Sequence, residues 1–253
     1  MSHWIGIISL FPEIFGPFLN AGVLGRGIKK GIIGVDLWNP RDYTDEPRRS
    51  VDDKPYGGGP GMVLKAQPLG DAIKAAKSDK GEDCHVIYLS PQGRQLTQNM
   101  LHQFLDKERI ILVSGRYEGV DERLIESSVD EEISMGDYVL SGGEVPAMAF
   151  LDGLSRLVPG VVGDDISVEN DSFSNGLLEY PQYTRPTIWD GKPVPDILTT
   201  GDHKKIDEWR KTQALGRSFE RRPDLFGNKR LTEEEKRLFE KYLEISKQER
   251  TDR

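Results

Sequence analysis

One cysteine, Cys84, is all the chain contains, so an internal disulfide is excluded. Its four histidines are scattered, and no spacing among them resembles a zinc site. No apolar run approaches the length of about 18 residues that would suggest a membrane span. The stretch Met1-Ser2-His3-Trp4 lacks the basic region and apolar segment of an export signal. A soluble, cytoplasmic protein with no membrane partner is the expectation. Two nucleotide signatures are also missing. Gly57-Gly58-Gly59-Pro60-Gly61-Met62 does not continue into the Gly-Lys-Ser/Thr of a phosphate loop. The first apolar run, Ile7-Ile8-Ser9-Leu10-Phe11-Pro12, enters a helical pattern without a Gly-x-Gly-x-x-Gly turn, which argues against a dinucleotide site of the Rossmann kind.

Basic charge is scarce overall and unevenly placed. The net charge is −8, yet residues 203–253 hold 15 basic and 11 acidic side chains, which leaves 19 and 31 to the rest. Between His203 and Arg230 nine basic side chains meet only four acids, with Trp209, Phe219 and Phe226 among them. Basic groups and aromatics on a helical frame suit a phosphate backbone and splayed bases. A solvated amphipathic pair of helices would carry the same charges.

The periodicity alternates along the first 160 residues. Strands are expected at Trp4–Leu10, Ile32–Trp38, His85–Leu89, Arg109–Ser114 and Glu132–Ser134. Helical spacing falls at Pro12–Leu19, Ala66–Lys77, Thr97–Asp106 and Glu144–Leu157, and a long loop runs from Asn39 to Lys65. Strand, loop and helix in repetition mean an α/β domain with a largely parallel sheet. Beyond Pro159 the character changes: Gly163 to Ser174 holds no basic residue, which predicts a linker or functional loop over 161–175. Helical patterns return at Asp202–Phe219 and Leu231–Lys247, the second opened by Thr232 and Glu235 as a capping box, so 176–253 is expected to form a small helical domain.

What is abundant is glycine beside carboxylate. Gly115-Arg116-Tyr117-Glu118-Gly119-Val120-Asp121 and Gly136-Asp137-Tyr138-Val139-Leu140-Ser141-Gly142-Gly143-Glu144 each follow a short apolar or β-branched run. Glycines admit close main-chain approach to a small molecule, and the interleaved Tyr and Leu can sandwich a flat ring. One pocket at the ends of neighbouring strands is the natural expectation.

These two stretches, with Ser90-Pro91-Gln92-Gly93, the Gly57–Met62 loop, Gly201-Asp202-His203, Trp209-Arg210 and Arg221-Arg222-Pro223-Asp224-Leu225, resemble the bacterial tRNA (guanine-N1)-methyltransferases of the SPOUT superfamily. The match is ordered and covers nearly the whole chain. The resemblance implies a parallel sheet whose C-terminal part is threaded into a trefoil knot, with a small helical C-terminal domain. Topology rules alone would give an ordinary doubly wound sheet. It further implies a homodimer with the active site at the subunit interface, tRNA as partner, S-adenosylmethionine as methyl donor and magnesium as a further requirement. The knot loops map onto Tyr88, Leu89, Ser90, Pro91 and Gly93; onto Gly115, Tyr117 and Glu118; and onto Met135, Gly136, Asp137, Tyr138, Val139, Leu140, Gly142 and Gly143. Met135 stands where the family pattern leads one to expect isoleucine.

Methylation of guanine at N1 needs a base, because the neutral ring carries a proton there, and a cation or donor near O6, where charge develops. By the resemblance Asp171 matches the family's base and Arg156 its catalytic arginine. Glu118 is a further catalytic candidate, either holding the donor's amino group or positioning Arg156. A carboxylate surround of Glu118, Asp137 and Glu144 would favour a cationic sulfonium over the neutral product. Equally, such acids cap helices or face water. Ordering of the Gly163–Ser174 stretch when RNA arrives would bring Asp171 into place. Two other classes share parts of this pattern: a SPOUT enzyme acting on ribose 2′-hydroxyls or ribosomal RNA, and a non-catalytic RNA-binding protein.

Overall fold

The computed structural model describes residues 3–163 and 171–251. The chain divides into two compact units, Met1–Asp165 and Ile166–Arg253. Of the stretch expected as a linker, residues 164–170 lie outside the described residues. On its near side Val161 is buried and faces Gly27. On its far side Phe173 donates to the Leu177 carbonyl at 2.7 Å and Ser172 accepts from the Glu179 amide at 3.0 Å, which roots the turn bearing Asp171 in the second unit.

The first unit is built on five parallel strands. In chain order these are β1 (His3–Ile8), β2 (Ile33–Trp38), β5 (His85–Gln95), β6 (Arg109–Ser114) and β7 (Glu131–Ser134), and across the sheet they lie β2-β1-β6-β5-β7. Two short strands, β3 (Asp52–Asp53) and β4 (Val63–Leu64), pair antiparallel within the loop expected at 39–65. The central strands read as unbroken apolar runs because both faces are covered. Ile8, Val86, Ile111 and Val113 pack with Leu69, Ile73 and Ala76 of α3 (Ala66–Lys80) and Leu124 of α5 (Glu122–Ser128). Alternation along the strands sends Ile110 and Leu112 to the opposite side. There α6 (Glu144–Leu157) packs on β6 and on α2 (Gly22–Lys29) and α4 (Gln98–Phe104), with Phe104 edge-on to Phe150 at 5.2 Å. A short α1 (Phe15–Leu19) follows a turn of 3-10 helix that opens at Pro12.

Further features of the first unit depart from the sequence expectations. Helix α2 escapes the periodicity because Gly22, Gly25 and Gly27 weaken it; Gly25 is required, since a Cβ there would sit 2.6 Å from the Asn20 carbonyl carbon. Helix α5 was not expected, although Asp121 caps it by accepting from the Arg123 amide at 3.1 Å. Strand β5 does not stop at Leu89. Both Leu89 and Arg94 pair with Ile133, so Ser90–Gly93 form an excursion inside a strand that then rejoins its neighbour.

In the second unit a hairpin of β8 (Ile188–Trp189) and β9 (Lys192–Pro193) precedes α7 (His203–Arg221), α8 (Pro223–Asn228) and α9 (Glu233–Thr251). Its core is Leu177, Leu215 and Leu238, flanked by Phe226, Leu231 and Phe239. Gly216 lets α7 meet Tyr242, whose ring atoms lie 2.2 Å from where a Cβ would stand. Helix α8 was hidden because Arg222-Pro223 reads as a break, whereas proline opens it at its first position.

The capping box at the head of α9 forms as expected. The Thr232 amide donates to Glu235 at 2.8 Å and the Glu235 amide to the Thr232 hydroxyl at 3.2 Å. Burial alone would raise the Glu235 pKa, but the Thr232 amide and Lys229 outweigh it and hold the carboxyl below its ordinary value. A depressed acid contributes stability above its unfolded pKa and loses it as pH falls through the folded one. Glu235→Ala, which removes the carboxylate itself, is therefore expected to cost about 1 kcal/mol at neutral pH. In thermal melts the deficit should shrink as pH falls below the ordinary glutamate range; a deficit independent of pH would contradict the carboxylate's part in it.

Candidate active site

The excursion within β5 and the carboxyl ends of β6 and β7, three strands adjacent in the sheet, each supply one wall of a cleft of about 410 Å³. Its lining brings together Tyr88–Gln92, Gly115–Val120 and most of Met135–Gly143. The volume falls in the range of small-molecule sites, at the strand ends where parallel α/β sheets bind ligands.

Main chain approaches main chain where the walls meet. A Cβ on Gly143 would lie 2.6 Å from the Ser114 Cα and 2.9 Å from the Gly115 nitrogen, and the Gly143 amide donates to the Gly115 carbonyl at 2.9 Å. A Cβ on Gly115 would meet the Tyr88 hydroxyl at 2.7 Å. Burial, then Glu132 and Glu122, push that hydroxyl's pKa up to about 12, so Tyr88 stays neutral at physiological pH. Tyr117 holds φ of +60°, a left-handed conformation uncommon for a bulky residue and a frequent mark of functional loops. Gly136 turns the third wall at φ +137°, where Ser134 accepts from its amide at 3.1 Å.

Two expected cleft residues stand elsewhere. Gly93 packs its α-carbon on the main chain of Glu132 and Ile133, a close approach that returns β5 to the sheet, and Asp137 is exposed at the turn. Neither lines the cleft. Glu144, expected to cap a helix, face water or surround a sulfonium, lies at the first position of α6, is only 1% exposed and is not in the lining. Its Oε1 accepts from the Ser9 hydroxyl at 2.8 Å, and its Oε2 faces the Arg116 Nε at 2.9 Å without the alignment of a hydrogen bond.

Gln92, Arg116 and Ser141 lie within the expected loops, whereas Gly119, Val120, Glu122, Ile125, Ile133, Ser134 and Pro146 line the cleft from outside them. Arg116 is the one basic residue of the Gly115–Asp121 stretch. Ile125 required knowledge of α5.

Glu118 stands where two loops join. Its amide donates to the Met62 carbonyl at 2.9 Å, and a Cβ on Gly61 would collide with its carboxylate, 2.2 Å from Oε1. Through the Leu64 amide on the Gly119 carbonyl, at 2.9 Å, the Gly57–Met62 loop is bound to the second wall of the cleft. Arg156 is exposed in the last turn of α6, in the first unit. Asp171 is half-buried at the start of the second.

In the second unit two of the three expected base-stacking aromatics are engaged with each other. Phe219, Phe226 and Phe239 form a cluster with centroids 4.7 to 5.5 Å apart. Trp209 lies 6.3 Å from Tyr183, and Arg210 covers Tyr180 at 5.0 Å. Arg217, Arg221 and Arg230 make no ion pair among the described residues. Those residues include no helix long and apolar enough to cross a membrane, and no group of three or more His, Cys, Asp or Glu that could hold a metal.

Residues 3–228 match the family model described as tRNA (Guanine-1)-methyltransferase TrmD. The chain is 55% identical over 240 residues to the tRNA (guanine-N(1)-)-methyltransferase of Aeromonas hydrophila, covering 95% of this chain and 96% of that protein. It is similarly 54% identical to the protein of that name from Tolumonas auensis and 53% to that of Vibrio vulnificus, each over 241 residues, 95% of this chain and 97% of theirs.

Proposed function

This chain belongs to the tRNA (guanine-1)-methyltransferase family and is an enzyme that methylates N1 of a guanine in tRNA, and from that premise we propose how its parts divide the work. The observation that carries the proposal is the cleft formed by the β5 excursion and the glycine-rich loops after β6 and β7, of a size suited to a nucleoside-sized donor. Methyl transfer by this family implies S-adenosylmethionine, which supplies an electrophilic methyl group on a sulfonium. The residues present fit it. Leu89, Tyr117, Tyr138 and Leu140 offer apolar surface for a flat ring, and the main chain around Gly115 and Gly136 offers polar groups for its edges. For magnesium, the described residues include no cluster of three or more His, Cys, Asp or Glu.

Asp171 takes the proton from guanine N1, and Arg156 meets the charge that develops towards O6. The two side chains belong to separate units, Arg156 to the first and Asp171 to the second, and the resemblance implies an active site completed at the interface of two copies of the chain. A homodimer is supported by apolar side chains left in water on the cleft loops and the start of α6: Val139 is 85% and Val145 60% exposed. The knotted passage of the C-terminal strands accords with main-chain approaches as close as those at Gly93 and Gly143. The second unit grips the RNA backbone through Arg217, Arg221 and Arg230.

The guanosine attacked is the one immediately 3′ of the anticodon. It must leave its stack to reach the donor. A labelled-methyl assay on tRNA transcripts tests this: label should enter a transcript with guanosine at that position and not one with adenosine there. Equal incorporation into both would refute the site assignment. Label in ribose or ribosomal RNA would favour the other SPOUT activity.

A further inference from the structure

We propose that the Arg116–Glu144 pair is the charge-balancing device of the donor cleft, with Glu144 cancelling a positive charge that would otherwise repel a sulfonium. The inference rests on the assignment of that cleft to S-adenosylmethionine. Arg116 projects from the second wall into the seam with the third. Its Nη1 donates to the Ser141 carbonyl at 3.1 Å, and its guanidinium lies 4.7 Å from the centre of the Phe11 ring. Gly142 is needed beside it, since a Cβ there would stand 2.3 Å from Nε. The side chain is thus fixed by groups from both walls and from the loop after β1.

A fixed guanidinium lining a cleft for a cation is a liability. Arginine stays protonated under all ordinary conditions, and like charges in a partly dry site repel. Glu144 answers that charge from behind. It is nine-tenths and more buried, it makes no direct contact with the cleft, and Ser9 holds it in place. Ser9 is itself oriented, because its oxygen accepts from the Phe11 amide at 3.0 Å while its proton goes to Glu144. Neither Arg116 Nε nor Glu144 Oε2 has an aligned hydrogen bond, so charge compensation describes their 2.9 Å approach better than shape does. A pair of apolar residues would serve stability as well. The arginine joins the two walls, and the glutamate makes its presence tolerable to the ligand. Both are positioning residues.

Calorimetry with S-adenosylmethionine and with S-adenosylhomocysteine, which lacks the positive sulfur, separates charge from shape. The proteins are the full chain, Glu144→Gln, Arg116→Gln and the double variant, each checked by thermal melting. One uncompensated charge about 10 Å from another, at an effective dielectric of about 20, changes an equilibrium about tenfold. Glu144→Gln should therefore weaken the sulfonium ligand about tenfold more than the thioether. Arg116→Gln should shift the ratio the opposite way, and the double variant should return it to near the starting value even if both affinities fall. Equal losses for both ligands in Glu144→Gln would overturn the proposal and leave the pair a structural tie. If that variant does not fold, Arg116→Gln and the double variant decide by the same ratio. Failure of the unaltered chain to bind either ligand would instead refute the donor assignment.

Discussion

Replacing Asp171 with alanine lowers kcat for methyl transfer by about 10²–10⁴-fold and leaves the affinities for donor and tRNA within about twofold. The size follows from what a positioned base contributes when the attacking nitrogen must lose its proton. The selectivity follows from where Asp171 stands. The turn that carries it is closed by the Ser174 amide on the Asp171 carbonyl at 3.3 Å and by the Phe173 amide on Leu177, bonds between main-chain groups that alanine leaves in place. Asp171→Asn, which keeps volume but cannot take the proton at neutral pH, should be nearly as slow. Single-turnover kinetics with saturating donor separate the chemical step from binding. Full activity in either variant, with both ligands bound normally, would show that another group is the base. Arg156→Lys tests the partner role: it keeps the charge and loses the planar fork, so a clear fall in kcat is expected rather than rescue.

Gly143→Ala should abolish useful donor binding by a different route. The added methyl carbon would meet the Ser114 Cα at 2.6 Å and the Gly115 nitrogen at 2.9 Å, both main-chain atoms of a buried strand end that cannot turn aside as a side chain does. The second and third walls must separate, and the hydrogen bond from the Gly143 amide to the Gly115 carbonyl breaks with them. Overpacking of this kind costs about 1–3 kcal/mol of stability. The cleft lies on the seam that opens, so donor affinity should fall by at least about tenfold. Gly163→Ala is the matched control, for nothing among the described residues lies within 4 Å of its added carbon. Its melting temperature and donor affinity should be unchanged. Normal donor binding by Gly143→Ala would mean the walls move independently.

The sequence was most readable where one physical rule acted alone. Arg109–Ser114 is a run with no competing pattern, and Glu144–Leu157 carries helical spacing from end to end; both stand in the structure with those bounds. Thr232 and Glu235 announced a helix start by a reciprocal bond that needs only their spacing. Legibility failed where tertiary contact overrode local preference. Gly25 and Gly27 look like helix breakers, yet the Asn20 main chain leaves no room for a side chain at Gly25, and at Gly27 a Cβ would press on Val161 at 3.1 Å. The glycine-rich walls showed themselves because close main-chain approach excludes side chains. The pairing of Arg116 with Glu144 did not, because nothing in the spacing of two charges from separate elements says they are buried together.

The excursion of β5 has a consequence for how such a cleft comes to exist. Leu89 and Arg94 share Ile133 as partner, so the ladder beyond Ser90–Gly93 resumes at the residue where it paused. The sheet neither gains nor loses a place by the detour. One wall of the ligand site is therefore an addendum to the architecture, inserted while the neighbouring strand keeps its place in the ladder.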